Sequence, residues 1–496
     1  MRVLFKKISI VLSCILIITL FSGCTNKTED AYIYFELPNV PQTLDPQTAS
    51  SDAELLIIRN IYEGLLRKDA DGKIVKGAAK KYDVDGLTYT FEIREDAVWS
   101  NGDAVTAHDF VFAFRRAIDP KTKAPFATRL LCIKNAKAIN SGKMSSDNLG
   151  VSAIDNKTLK ITLEYSDKSF ENTLTTSVAM PCQEKLFNKA AGKYGLESKF
   201  ILSNGSYKLT KWNKTSFGIR LYRHEEYNGS FYAKNAAVFL TCNDNETVNE
   251  KLLKNSIDIA FVDCADVDML EDKGLKTATC QNICWVLTLD NNVFSKNMRS
   301  ALAQLVGGEV YSKSLPKGYK TAQSIFPQII TENPPADGTT IYNLESGRKL
   351  YISEINKLKD KKFPTNIILY YYDDGSAKSI VTDIVGHWQS NLSAFVNIES
   401  VSDASLLLPE LVSTSLPMAI FPIRADSGNI YEYVKKFGFD YNGKTLGEVQ
   451  KEILTDCTII PLAYQNTCIA YSKAITNLST TPGDGYIDFS LIIKDE

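Results

Sequence analysis

Residues 85–120 hold the pattern that most limits how this chain can fold. Leu87, Tyr89, Phe91 and Ile93 alternate with Thr88, Thr90, Glu92 and Arg94, entered through the turn pair Asp85-Gly86. A period of two is that of a strand with one buried face. After a second turn at Asn101-Gly102, Thr106-Ala107-His108-Asp109 has the spacing of a capping box, and Phe110, Ala113, Phe114, Ala117 and Ile118 recur at helical intervals. The spacing predicts a helix from about Thr106 to Asp119-Pro120, where the proline stops it.

The remaining elements alternate in the same way. Ala31–Leu37 reads as a strand, Pro38–Thr48 as an extended turn segment, and Asp52–Tyr62 as a helix with Ser51 and Glu54 in capping-box positions. Past Pro120 the chain is irregular and polar to Gly150. Thr158–Glu164 then alternates and is expected to pair antiparallel with Leu87–Ile93. Short strands at Asn235–Leu240 and Asp258–Val262 flank a helix at Asn249–Asn255, the strand and helix succession of an open sheet. Later strands are expected at Cys284–Leu289, Asn366–Tyr372 (a central one), Met418–Ile423, Ile459–Gln465 and Ile487–Phe489. Helices are expected from Met298, over Leu344–Lys357 and through Ile384–Trp388.

With 496 residues and 23% charged, the chain has room for two or three domains of ordinary globular composition. Its formal net charge is -2, and leaving out Arg2, Lys6 and Lys7 at the N-terminus leaves 53 basic against 58 acidic residues, or -5. Such a balance carries no nucleic-acid footprint. Those three basic residues precede an apolar run, Ile8–Phe21, of the length of an export-signal core rather than a permanent membrane span. Phe21-Ser22-Gly23-Cys24 resembles the lipobox of bacterial lipoproteins, which implies lipidation at Cys24 and a polar tether over Thr25–Asp30. Of the eight later cysteines, Cys280 and Cys284 are the first pair to test for a disulfide, being four apart. No metal site is expected, since no second Cys or His pair stands at ligand spacing.

Catalytic readings fare poorly. His108, His224 and His387 are isolated, and His108 is expected at the surface. Ser314-Leu315-Pro316-Lys317 with Ser146-Asp147-Asn148 runs in the wrong order for a serine acyl-enzyme, with Pro316 spoiling the required helix. No cofactor is expected. Trp99 and Trp212 read as packing residues.

A run of short matches resembles the peptide-binding family of extracytoplasmic solute-binding proteins, receptors of oligopeptide and dipeptide importers driven by ATP. The pieces are Leu44-Asp45-Pro46, Tyr62-Glu63-Gly64-Leu65-Leu66, Asp71-Gly72, Asp85–Phe91, Arg94, Trp99-Ser100-Asn101-Gly102, Thr106-Ala107 and Asp109-Phe110-Val111. Farther on, Asn204-Gly205-Ser206-Tyr207, Cys284–Leu289 and Ile459–Gln465 are similar to later family landmarks. The resemblance implies a bilobal, periplasmic-binding-protein-like α/β fold with two hinge crossings, near Leu289 and Ile459, and an extra inserted domain. The division expected is a signal peptide (1–23), a discontinuous core domain of lobe 1 (24–62, 183–289 and 459–496), an inserted domain (63–182) and lobe 2 (290–458).

The resemblance also implies the partners: a peptide ligand, the membrane permease of an ABC importer, and the membrane itself through the N-terminal lipid, for a monomer outside the cytoplasm. Family members hold the ligand's ammonium with a carboxylate after a strand of lobe 2, in a tryptophan-x-alanine-aspartate setting. That alignment places Ala425-Asp426 at the spot, so the candidate site is Ile423, Arg424, Ala425 and Asp426, without the tryptophan. Asp426-Ser427-Gly428-Asn429 is equally an ordinary turn composition, and Arg424 could pair with Asp426 or receive a ligand carboxylate. Asp45 reads as a turn former. A diverged surface lipoprotein, acting as sensor or adhesin or binding a non-peptide ligand, is the alternative function on the same scaffold.

Overall fold

The computed structural model describes residues 32–212, 218–241, 246–336, 338, 342–373, 375, 377–401, 416–425, 429–439, 441, 444–478 and 487–495. Cys24 and Asp426 lie outside the described residues.

One eleven-stranded sheet runs through the whole molecule. In spatial order its strands are Asn397–Val401, Ile368–Tyr372, Met418–Arg424, Lys276–Leu289, Ile459–Tyr471, Ile259–Val262, Tyr32–Leu37, Ala236–Thr241, Gly218–Arg223 and Tyr207–Lys211, with Tyr319–Thr321 also pairing to Ile459–Tyr471. Tyr32–Leu37 is parallel to both its neighbours, and so is Ile368–Tyr372. Ile368–Tyr372 stands one place in from the sheet's edge, not at its centre as expected.

Two strands join the lobes. Lys276–Leu289 and Ile459–Tyr471 pair antiparallel along nearly their full lengths, with an irregularity between Gln281 and Ile283 where Asn282 is the extra residue. On either side of it the neighbours change. Cys468–Tyr471 pairs with Ile259–Val262, whereas Ala463–Gln465 pairs with Tyr319–Thr321, and Ile283–Leu289 pairs with Met418–Arg424. Ile283, Trp285, Leu287, Leu289, Ile460 and Leu462 of these two strands pack into one core with Leu369, Ile384 and Trp388.

Each lobe has its own apolar interior. A first core draws Ile33, Phe35, Ile57, Phe91, Trp99, Phe114, Leu159, Phe239 and Phe489 together, so it is continuous between the sheet and residues 63–182. Cores of the second lobe gather Trp285, Leu369, Ile384 and Trp388 on one side of the sheet and Phe326, Phe421, Tyr433 and Val434 among others.

The opening pattern folds as its period requires at Phe91 and Ile93, whereas Leu87 lies outside the strand and is exposed and Tyr89 is half-buried. Thr88–Ile93 is a strand between Ala79–Asp85 and Thr158–Thr162 in a separate four-stranded antiparallel sheet, with Phe91 and Ile93 buried. Ala107–Ile118 is a helix capped by Thr106 and Asp109 and stopped at Asp119. Trp99 is wholly buried, with its indole N–H donating to Asp109 at 3.3 Å, and Trp212 is buried too.

Three expectations change. Residues 120–150 contain short helical turns and contribute Leu130, Ile133, Ala136 and Ile139 to the core. Ile487–Phe489 is not a strand of the sheet. The Asn60 amide donates to the Ile487 carbonyl at 3.1 Å and accepts from the Phe489 N–H at 2.9 Å, so a side chain satisfies the backbone where a ladder was expected. A disulfide joins Cys264 to Cys468, with Cα atoms 5.4 Å apart; Cys280 and Cys284 are not crosslinked, since both lie on the extended strand Lys276–Leu289, where four residues span about 13 Å, too far for a disulfide.

Candidate functional site

Of the expected site, Ile423, Arg424 and Ala425 are described, and Arg424 reaches the helix Asp52–Ile61 of the other lobe. Met418–Arg424 is hydrogen-bonded to Ile283–Leu289 along one edge, and the Ala425 N–H continues that ladder by donating to the Asn282 carbonyl at 2.7 Å. Along its other edge, parallel pairing to Ile368–Tyr372 reaches only Ile420. From Phe421 onward no described strand covers that edge. Pro422 sits there, as proline does on strand edges, because it has no N–H to offer a ladder.

Sequence placed Ile423, Arg424 and Ala425 at the site, and the structure separates their roles. Ile423 and Ala425 are each 1% exposed, with their side chains in the second lobe's core and, by strand alternation from the Ala425–Asn282 bond, their backbone groups turned toward Lys276–Leu289. Arg424 is the one of the three whose side chain leaves the lobe. Its guanidinium donates to Asp52 Oδ2 at 2.6 Å, crossing from the strand of lobe 2 to the helix Asp52–Ile61 of lobe 1. Its own carbonyl accepts from Lys436 Nζ at 2.7 Å.

The lobe 1 wall is held by carboxylates. Glu54, 4% exposed, accepts from the backbone N–H groups of Gln42 and Thr43 through one oxygen and of Ser50 and Ser51 through the other, at 2.8–3.1 Å. One side chain thus pins both ends of the 42–51 loop to the helix that carries Asp52. Asp45 does more than form a turn: it makes a buried ion pair with Arg116 at 2.6 Å, and Arg116 also donates to Gln47 at 2.8 Å. The Cβ that any other residue would have at Gly195, whose φ is +74°, would lie 2.4 Å from the Asp45 nitrogen, so the loop's close approach needs glycine there. Sequence reasoning missed Asp52, Glu54 and Arg116 as builders of the wall. The capping-box spacing flagged Glu54 only as a helix cap.

Among the described residues none of the histidines is placed for catalysis at this junction. His108 is exposed, His224 lies buried against the Gly205 carbonyl, and His387 contacts Tyr342. Among the described residues no His, Cys, Asp and Glu cluster is placed to hold a metal, and no helix is long and apolar enough to cross a membrane.

Comparison with known proteins agrees with this geometry. Residues 73–445 match the family described as bacterial extracellular solute-binding proteins, family 5 Middle. The oligopeptide-binding protein OppA of Bacillus subtilis is 29% identical over 390 residues, covering 73% of this chain and 69% of its own. The periplasmic murein peptide-binding protein MppA of Escherichia coli is 27% identical over 374 residues, with the same two shares. Among solved structures, the pheromone receptor PrgZ aligns over 94% of this chain and 100% of its own with a TM-score of 0.77 at 21% identity. Haemophilus influenzae OppA in complex with the peptide RPPGFSPFR aligns over 94% and 99% with a TM-score of 0.76 at 22% identity. At those identities the structural likeness speaks to the two-lobed fold, while the sequence match speaks to descent. By both, the chain belongs to the bacterial extracellular solute-binding proteins of family 5, binding proteins and not enzymes.

Proposed function

We propose that this protein is a lipid-anchored receptor that captures peptides between its lobes and delivers them to an ATP-driven peptide importer. The observation that carries this reading is the edge of Met418–Arg424 beyond Ile420, which no described strand covers and at whose end Lys436 holds the Arg424 carbonyl. An extended peptide can add to such an edge through its backbone, which gives affinity with little dependence on side-chain identity. The relatives support the choice of ligand, since OppA of H. influenzae was solved with a peptide and OppA of B. subtilis is named for oligopeptides.

Asp426, one residue past the Ala425 N–H that ends the ladder, is the proposed partner of the ligand's ammonium. An ammonium taken out of water needs such a carboxylate, because an unpaired charge there costs several kcal/mol. Cys24 is the proposed point of lipid attachment, on the same basis as before. The domain division set out from the sequence is kept as a proposal with its crossing moved to Gln281–Ile283.

A mixed peptide pool is expected to raise the melting temperature by mass action, and Asp426→Ala to remove the shift. Absence of a shift with every pool would sink the peptide reading in favour of a scaffold turned to another ligand.

A further inference from the structure

We infer that the protein carries its own clasp across the cleft, in which Lys435 of lobe 2 closes onto a preformed acceptor, Asp167 with Ser169, of lobe 1. The two halves belong to different cores. Asp167 and Ser169 lead into the short helix Phe170–Thr173, whose Phe170 is packed in the first core, whereas Lys435 ends the helix Ile430–Lys435, whose Tyr433 and Val434 are packed in the second.

The acceptor is built before the lysine arrives. Asp167 Oδ1 is taken by its own loop, accepting from the Ser169 N–H at 2.9 Å and the Ser169 hydroxyl at 2.6 Å. That leaves Oδ2, which accepts from Lys435 Nζ, while the same ammonium donates to Ser169 Oγ at 3.1 Å. With the lobes together, Asp167 is 4% exposed and Lys435 37%, so the carboxylate is covered where the lysine meets it and the lysine keeps part of its side chain in solvent. Burial pushes the Asp167 carboxyl up, and the hydrogen bonds from Lys435 and Ser169 outweigh it and hold the group below the usual carboxylate range. Breaking a pair of this kind costs more than breaking a surface one, because it leaves a desolvated carboxylate without its counter-charge.

Other contacts between the same lobes include Arg424 to Asp52, Lys317 to Asp268 at 2.6 Å, and Lys168 of lobe 1 over the Tyr431 ring at 5.5 Å from its centroid. The clasp also reports on the binding strand. Lys436, next to the clasp lysine, holds the Arg424 carbonyl, so the helix end that grips lobe 1 is tied to the strand end where the ligand is proposed to sit. Part of the free energy of closure therefore comes from the protein and not from the ligand. A ligand shifts the lobes only by its differential affinity for the two states, and the clasp sets where that shift starts.

The inference needs a cleft that opens and closes; it does not depend on the ligand being a peptide. Spin labels carried by unnatural amino acids at Ile154 and Phe395, each 62% exposed and one on either lobe, would report the interlobe distance distribution of the full chain without added ligand. Lys435→Met and Asp167→Asn are each expected to raise the ratio of open to closed populations about tenfold, with the double variant no further than either single. Exchanging the charges, Asp167→Lys with Lys435→Asp, should recover part of the closed population. If Lys435→Met leaves the distribution unchanged, or if the two single effects simply add, the clasp is overturned and Asp167 serves only its own loop. Because Lys435 is at a helix end and partly exposed, its variant tests closure without threatening the fold.

Discussion

At the scale of single residues, the cleft wall depends on ion pairs whose partners are far apart in the chain. Arg116 and Asp45 are buried, 71 positions apart, and Arg116 also lies over the Phe187 ring at 4.1 Å. Removing one partner strands the other in a dry place, which is worse than never having had the pair. Arg116→Met should lower the free energy of unfolding by about 3 kcal/mol, and adding Asp45→Asn should recover part of that loss; urea titration of both variants checks it. Such pairs were not readable from the sequence. Leu44-Asp45-Pro46 looked like a turn, which it is, but nothing near it announces a cation on a helix in the next domain. Arg424 shows the same limit: its partner Asp52 lies 372 residues away on the other lobe.

At the scale of elements, period and capping were enough wherever a segment meets the core on one face. Asp52–Ile61 and Ala107–Ile118 begin at the caps the sequence showed and end within a residue of expectation. Failures came where a side chain does the work of a ladder, as Asn60 does for 487–489, or where an extended strand holds apart two cysteines expected in one turn, as with Cys280 and Cys284. Glu54 is the case in which one residue serves an element and a site together. Glu54→Ala would leave four backbone N–H groups without their acceptor, so we expect about 2 kcal/mol of destabilisation, together with a loosened 42–51 loop. Chemical denaturation measures the first. Faster amide exchange confined to that loop and the first helical turn would mark the second.

At the scale of the whole molecule, Cys264–Cys468 fastens the return strand to the segment after Ile259–Val262, closing a stretch of 204 residues that includes all of lobe 2. Crosslinks of native chains restrict the unfolded ensemble, so reduction should cost about 3 kcal/mol and lower the melting temperature; a Cys264→Ser, Cys468→Ser variant that melts as the oxidised protein does would refute this. The bilobal plan itself was legible, since the order of strands and helices and the family landmarks agree with it. The depth at which the lobes join was not, because neither Gln281 nor Gln465 differs in pattern from its neighbours on the strand. What fixes the junction there is the exchange of sheet partners, a property of the assembled fold.

The unbroken sheet has a consequence for how such a protein can change over evolutionary time. Lys276–Leu289 and Ile459–Tyr471 each contribute one end to either lobe, side by side. Neither lobe is therefore a transferable module. Cutting the gene at the junction would leave each product with two half-strands and a bared sheet edge, the kind of surface that invites aggregation. New binding preferences on this scaffold are thus more readily gained by exchanging loops and cleft residues in place than by recombining whole lobes between relatives.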